Sequence, residues 1–263
     1  MNLCSGEIAD VEDVPGMKVT AIGVGDAFGT GGRFHTCWRL DAAGRTVCVD
    51  FGASSIVAWA RTGRPTTDID AVVITHLHGD HFGGLPFLLL ESQFVGRRSK
   101  PLTIAGPPGL TARLWMLCEA MFVGSSKIDW SFPLEIREIQ PGEPQRLANF
   151  DVATTEVLHP SGAPSTAVRL SAASRTFAYS GDTAWVDALL DVARDADLFV
   201  CECYSGEAPT PHHVDWPTLR KNLPRLTARS ILVTHLGETA FSKIDDIRAA
   251  GVGVAEDGFV CNL

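Results

Sequence analysis

The stretch ITHLHGDHFGG, Ile74–Gly84, places His76, His78, Asp80 and His81 within six residues, directly after the apolar run DIDAVV. Ligand-type side chains crowded at a strand end are costly unless something binds them. An extended segment points His76 and His78 the same way, because they lie two apart. Gly79 then lets the chain turn sharply. Asp80 and His81 face a neighbouring point at the start of the next helix. One strand–loop–helix unit therefore offers two ligands to each of two adjacent metals. Imidazole with carboxylate suits zinc, manganese or iron and suits calcium poorly. The competing reading, a solvated loop that happens to be histidine-rich, does not account for the strand–loop–helix setting.

The bulk composition allows a large core. The chain has 263 residues, 45% hydrophobic, 20% charged and 8% aromatic, an ordinary globular balance. Its formal net charge of −9 argues against a general polyanion binder. It leaves room for phosphate chemistry, since bound cations reverse the local field. The seven cysteines are scattered, with Cys48 and Cys201 in apolar runs. They read as buried free thiols in a reducing cytoplasm. The N-terminal MNLCSGEIADVEDVPG is acidic and has no apolar segment of signal-peptide type. No apolar run reaches membrane-spanning length. A cytoplasmic location is expected.

MKVTAIGVG reads as a strand ending in a glycine turn, and HTCWRLD and TVCVDFG as strands joined by AAGR. SSIVAWAR reads as a short helix with Ser54 or Ser55 as its cap. GLPFLLLESQFV and LTARLWMLCEAMFVG read as helices, the second with Leu114, Leu117, Cys118 and Met121 at helical spacing. Strands follow from Trp130 to His159, then a hairpin over STAVRLSAASRTFAYSGD. AWVDALLDVARDA and DWPTLRKNLPRL read as helices, DLFVCECY and SILVTHLG as strands, and GVGVAEDGFVCNL as a small closing strand pair. Strand runs that give way to helix–strand alternation, repeated in each half, suit a layered α/β sandwich of two mixed sheets with helices outside. With no linker or low-complexity segment, 1–263 is read as one domain.

Further candidate ligands end apolar runs: His159 in VATTEVLHP, Asp182 in FAYSGDT and His235 in ILVTHLG. Taken singly, a strand-end histidine is usually structural. Taken with the first motif, all three become ligand candidates. In this order and spacing, THLHGDHFGG, a later histidine, SGDT and VTHLG resemble the metallo-β-lactamase-fold hydrolases over most of the chain. The resemblance implies an αββα sandwich with a dinuclear site at one edge. It implies His76, His78 and His159 on the first metal, Asp80, His81 and His235 on the second, and Asp182 bridging. A hydroxide held between the metals is then the nucleophile, since a metal lowers the pKa of water to about 7. Two divalent ions are expected. Zinc is the first choice, and manganese or iron suits the same ligands.

GDAFGTGGRFHTCWRL, LHGDHFGGLPFLL and AEDGF resemble the ribonuclease Z-like branch, which includes tRNA 3′-processing enzymes, cyclic phosphodiesterases and some arylsulfatases. That resemblance implies an auxiliary dyad of Glu202, in CECY, and His213, in HHVDWPTL, with His212 the weaker choice. Such a dyad protonates a leaving oxygen. The alternative is a local ion pair that only starts a helix. The tRNA enzymes carry a basic, glycine-rich arm between the third histidine and the bridging aspartate. Here only a short hairpin joins His159 to Asp182. A small phosphodiester is therefore the expected substrate and structured tRNA a poor one. Tyr204 keeps a lactone or carboxylester open, and the branch keeps an aryl sulfate open. A thioester hydrolase lacks its basic C-terminal helical region here. A non-catalytic metal-binding module is disfavoured by the complete ligand set. Relatives of this type are often dimers, so a homodimer is one assembly the resemblance allows.

Other features read as structural. GVGDAFGTGG lacks dinucleotide or phosphate-loop spacing and reads as a rim turn. His35 reads as structural, and Cys201 and Cys203 as alternating residues of a buried strand. GRRSK, Gly96–Lys100, reads as a solvated basic loop, with a substrate phosphate as its alternative. Trp115, Met116, Met121 and Phe122 read as core packing or a dimer face.

Overall fold

The computed structural model describes residues 16–263. The acidic N-terminal segment and Cys4 lie outside the described residues. In chain order the strands are β1 Lys18–Gly23, β2 Cys37–Ala42, β3 Arg45–Val49, β4 Ala71–Val73, β5 Leu102–Gly106, β6 Leu134–Glu138, β7 Gln145–Leu147, β8 Phe150–Val157, β9 Ser165–Ala172, β10 Arg175–Tyr179, β11 Leu198–Glu202, β12 Ile231–Thr234, β13 Gly253–Val254 and β14 Val260–Asn262. They form two sheets, ordered β14-β1-β2-β3-β4-β5-β6 and β13-β12-β11-β10-β9-β8-β7. Helices α1 Ser55–Arg61, α2 Gly79–Phe82, α3 Leu85–Phe94 and α4 Leu110–Met121 accompany the first sheet. Helices α5 Ala188–Ala193, α6 Trp216–Asn222, α7 Glu238–Phe241 and α8 Ile244–Ala249 accompany the second.

Three apolar layers hold this together. Val19, Val47, Val73, Phe150, Val168, Phe177 and Val200 meet between the sheets. Trp59, Ile74, Leu85, Leu88 and Leu114 pack helices on the first sheet, and Phe199, Cys201, Leu219 and Ile247 do so on the second. The result is the layered sandwich expected from the residue pattern, in the αββα order that the family resemblance implies. Tight hairpins join β2 to β3 and β9 to β10. Ala42 pairs with Arg45 and Ala172 with Arg175, so each loop has two residues. Those residues, Ala43–Gly44 and Ala173–Ser174, all have positive φ, the primed turns that match strand twist.

Strands β3 to β6 run parallel, as do β10 to β13. Their C-terminal ends collect at one edge of the sandwich. Residues just past those ends carry the side chains described below.

Several local expectations change. The C-terminal segment is no strand pair: β13 joins β12 in one sheet and β14 joins β1 in the other. It ties the two sheets together. The helix expected over AWVDALLDVARDA is only Ala188–Ala193, and Asp195, at φ 51°, turns the chain away. Ser54 precedes α1 but makes no cap; its hydroxyl accepts the N–H of His35 instead. Met116 and Met121 are exposed, while Leu110, Leu114 and Cys118 form the packed face. Arg98 in GRRSK is not solvated. It is buried and donates to the carbonyls of Ile69, Lys100 and Pro101, so it braces the turn before β4. Cys201 and Cys203 are packed in the second sheet, and burial raises both thiols.

Candidate metal centre

Each candidate ligand leaves a strand end. Beyond β4 the chain runs Ile74–Thr75–His76–Leu77–His78 and enters α2, which carries Asp80 and His81. His159 follows β8, Asp182 follows β10, Glu202 ends β11 and His235 follows β12. His76, His78 and His159 form one group whose ligand atoms lie within 4.8 Å of one another, and Asp80, His81, Asp182 and His235 form a second. All seven sequence candidates thus meet at one edge.

The groups share a centre. Oδ2 of Asp182 lies 3.2 Å from His235 Nε2, 3.4 Å from His81 Nε2, 3.8 Å from His76 Nε2 and 4.0 Å from His159 Nε2. Oδ2 of Asp80 is 3.2 Å from both His81 Nε2 and His235 Nε2. Nδ1 of His78 lies 3.0 Å from His159 Nε2.

Neighbours set which imidazole nitrogen is bare. Nδ1 of His81 lies 2.7 Å from Asp50 Oδ2; a carboxylate only accepts, so Nδ1 carries the proton. The Thr75 hydroxyl donates to the same Asp50 oxygen at 2.9 Å and faces His76 Nδ1 at 3.0 Å. His76 therefore donates to Thr75. Nδ1 of His159 donates to the His212 carbonyl at 3.0 Å. In each case Nε2 is left to face the centre. Asp50 is absent from the candidates read from sequence. Its only signal is a carboxylate that ends the apolar strand TVCV. It sits at φ 61° and is fully buried.

The charge balance suits a cation. Burial holds His76 well below its ordinary pKa, His78 below it, and His159 down at about 4. Burial opposes charge on His81 too, but Asp182, Asp80 and Asp50 outweigh it and raise that imidazole. His235 is raised to about 9, where Asp182 and Asp80 overcome burial. Asp80 and Asp182 are buried yet held well below the carboxylate range by His81 and His235. Nε2 of His76, Nε2 of His81 and Oδ1 of Asp182 are buried without a hydrogen-bond partner among the described residues. Each such orphan costs about 1–3 kcal/mol, a cost that cation coordination offsets. The donor set of imidazoles and carboxylates therefore fits divalent metal ions.

Glu202 and His213 flank this cradle. Oε1 of Glu202 accepts from His213 Nδ1 at 2.9 Å and from the Thr183 N–H at 2.7 Å. The His213 ring lies 4.9 Å from that of His159 and stacks 5.7 Å from that of His235. Burial opposes its charge, but Glu202 outweighs burial and raises it. Tyr204 packs its ring 4.9 Å from His213. The His212 side chain is exposed, and only its carbonyl takes part. Nδ1 of His35 accepts the Ser54 N–H at 3.2 Å, a loop-bracing bond.

Comparison with known proteins agrees with this fold. Probable metallo-hydrolase YhfI of Bacillus subtilis is 25% identical over 257 residues, 93% of this chain and 99% of its own. The crystal structure of that metallo-β-lactamase-fold protein superposes with a TM-score of 0.76 at 23% identity, covering 94% of this chain and 100% of the other. A diphosphatase from the PhnP family superposes with a TM-score of 0.76 at 19% identity, over 94% of this chain and 98% of the other. At such identities the likeness is one of fold. Ribonuclease Z of Methanococcus maripaludis is 35% identical over 146 residues, which is 54% of this chain and 46% of that protein; the match spans about half of each. The family model described as anti-Pycsar protein Apyc1 matches residues 17–257. The chain therefore belongs to the anti-Pycsar protein Apyc1 family, within the metal-dependent hydrolases of the metallo-β-lactamase fold.

Proposed function

We propose that the protein is a dinuclear metal-dependent hydrolase of a small phosphodiester. The observation that carries this is the Asp182 carboxylate, whose Oδ2 lies within 4.0 Å of histidine nitrogens from both ligand groups. His76, His78 and His159 would hold one cation, Asp80, His81 and His235 the other, with Asp182 between them. Zinc is the expected ion. When bound, such ions supply a lowered pKa for water and positive charge beside the ester oxygens.

The chain's own groups do the rest. Asp50 and Thr75 keep the Nδ1 protons of His81 and His76 turned away from the cradle. His213, whose charged form Glu202 favours, would deliver a proton to the leaving oxygen, a step that helps a poor leaving group most. Two features favour a small substrate over structured tRNA: the two-residue turn between β9 and β10 and the net charge of −9. The ribonuclease Z relative keeps tRNA among the substrates to assay.

Tyr204 supports a second reading. Its ring lies 4.9 Å from His213 and 6.1 Å from His235, where a phenol could polarise the carbonyl of a lactone or carboxylester. Metal analysis paired with hydrolysis of bis(p-nitrophenyl) phosphate separates the two. A p-nitrophenyl ester, p-nitrophenyl sulfate and a lactone run alongside. Two metals per chain with the diester preferred supports the proposal. Preference for the ester or lactone overturns it in favour of Tyr204, and preference for the sulfate overturns it in favour of sulfate-ester hydrolysis.

A further inference from the structure

The outer face of the first sheet bears a cavity of about 370 Å³ between β1, β2, β14 and the end of α1. Four cations line it, Lys18, Arg39, Arg61 and Arg64, against two carboxylates, Asp41 and Asp257. Such a gathering of positive charge stands out on a chain whose net charge is −9. Both carboxylates are already engaged. Asp41 Oδ1 accepts from Arg39 Nε at 3.0 Å, Arg39 Nη2 at 2.8 Å and the Thr46 hydroxyl at 2.7 Å. Asp257 accepts the Val24 N–H at 3.1 Å on one oxygen and the Phe34 N–H at 2.9 Å on the other. Among the described residues Lys18 and Arg61 have no ion-pair partner, and Arg64 reaches Asp68 only at 3.8 Å.

Two of the guanidinium groups are held in place before any ligand arrives. Arg39 is 6% exposed and lies over the Trp59 ring at 5.3 Å, and Arg61 lies over the Phe34 ring at 5.0 Å. A planar fork fixed on an aromatic face loses little freedom when it binds an oxyanion. Phe34, Ala58 and Val260 add an apolar wall. The cavity is set apart from the metal edge. Helix α1 follows the turn where the Ala53 N–H meets the Gly79 carbonyl at 3.1 Å, beside the ligand loop, and Arg61 is its last residue. Asp41 pairs with Thr46 near the start of β3, the strand whose other end leads to Asp50.

We propose that this cavity is a second binding site, separate from the metal centre, for a small phosphate monoester that carries an apolar group. A phosphate monoester bears about −1.5 to −2 charge at neutral pH, which matches the excess of two cations over carboxylates in the lining. Its three free oxygens suit the forks of Arg39 and Arg61 together with the Lys18 ammonium. A carboxylate offers fewer oxygens and less charge. The apolar wall takes the rest of the molecule, and the volume falls within the range of small-molecule sites, about 300–1,000 Å³. The site stands whether or not the metal centre cleaves phosphodiesters.

Titration calorimetry of the metal-loaded protein with phenyl phosphate tests this. Lys18→Gln combined with Arg61→Gln should weaken one phenyl phosphate site about tenfold or more while bound metal stays at the wild-type level. Arg39→Lys should weaken the same site, because the charge stays but the fork is lost. Benzoate should bind there more weakly than phenyl phosphate. Lys18 and Arg61 are exposed, so the double variant should melt like the wild type and decides the matter even where Arg39→Lys disturbs the sheet. An isotherm unchanged in the double variant places all binding at the metal centre and overturns the proposal, as does a wild type that binds no phenyl phosphate. Benzoate bound as tightly as phenyl phosphate overturns the phosphate assignment in favour of a carboxylate.

Discussion

Nδ1 of His81 lies 2.7 Å from Oδ2 of Asp50, with both side chains fully buried. The same carboxylate takes the Thr75 hydroxyl, which in turn takes His76 Nδ1. One aspartate outside the ligand set thus orients an imidazole in each group. Such partners fix ring orientation and raise ligand basicity.

Asp50→Asn should lower metal affinity about 10- to 100-fold. Asparagine tolerates the left-handed backbone at this position, so the change isolates the lost acceptor. Competition against a chromogenic chelator gives the affinity directly. Wild-type affinity in the variant would remove Asp50 from the site.

His78→Ala and Asp80→Ala should each abolish turnover while circular dichroism stays native, and metal content per chain should fall. Full activity in His78→Ala with no metal bound would refute the mechanism.

His213→Ala should keep its metals and slow turnover about a hundredfold. The loss should be larger for an alkyl diester than for a p-nitrophenyl diester, whose leaving group needs no proton. Glu202 raises His213, so Glu202→Gln should lower that pKa and move the alkaline limb of the rate profile to lower pH. An unmoved limb assigns the pair a structural role only.

Metal-stripped protein should lose stability on the alkaline side. His235 is raised from 6.5 to about 9 in the folded chain. The stabilisation from its protonated form is complete below pH 6.5 and disappears as pH rises through about 9. Melting temperatures of chelator-treated protein should fall across that window, while metal-loaded protein, whose His235 is occupied, should not follow. Parallel curves would show that His235 does not titrate with folding.

Gly52→Ala should destabilise the protein by about 1–3 kcal/mol. A Cβ there would meet the Asp80 carbonyl oxygen at 2.0 Å and His35 Cβ at 2.5 Å. Because Asp80 must shift, metal affinity should fall with the denaturation midpoint. A stability loss without any change in affinity would separate Gly52 from the centre.

Much of this protein is legible along the chain. Local spacing alone assigns His76, His78, Asp80 and His81 to two neighbouring points, because extended backbone and a glycine turn dictate where side chains aim. Apolar runs ending in His159, Asp182 and His235 mark strand ends at a sheet rim. Alternation and helix-length segments give the layered α/β class.

Other features depend on residues far apart in sequence. Asp50 and His81 are 31 positions apart, and nothing local to TVCVDFG announces a partner. Arg98 looks like surface charge until three carbonyls close around it. The C-terminal strands look like a pair until each finds a different sheet. Lys18, Arg39 and Arg61 are scattered charges along the chain until one cavity gathers them. Periodicity and spacing determined the ligand types and the elements that carry them, since both are set by backbone geometry within a few residues. The orientation of each imidazole, the junction of the two sheets and the gathering of cations in one cavity were decided by tertiary structure, because burial and long-range hydrogen bonds exist only after the sheets have met.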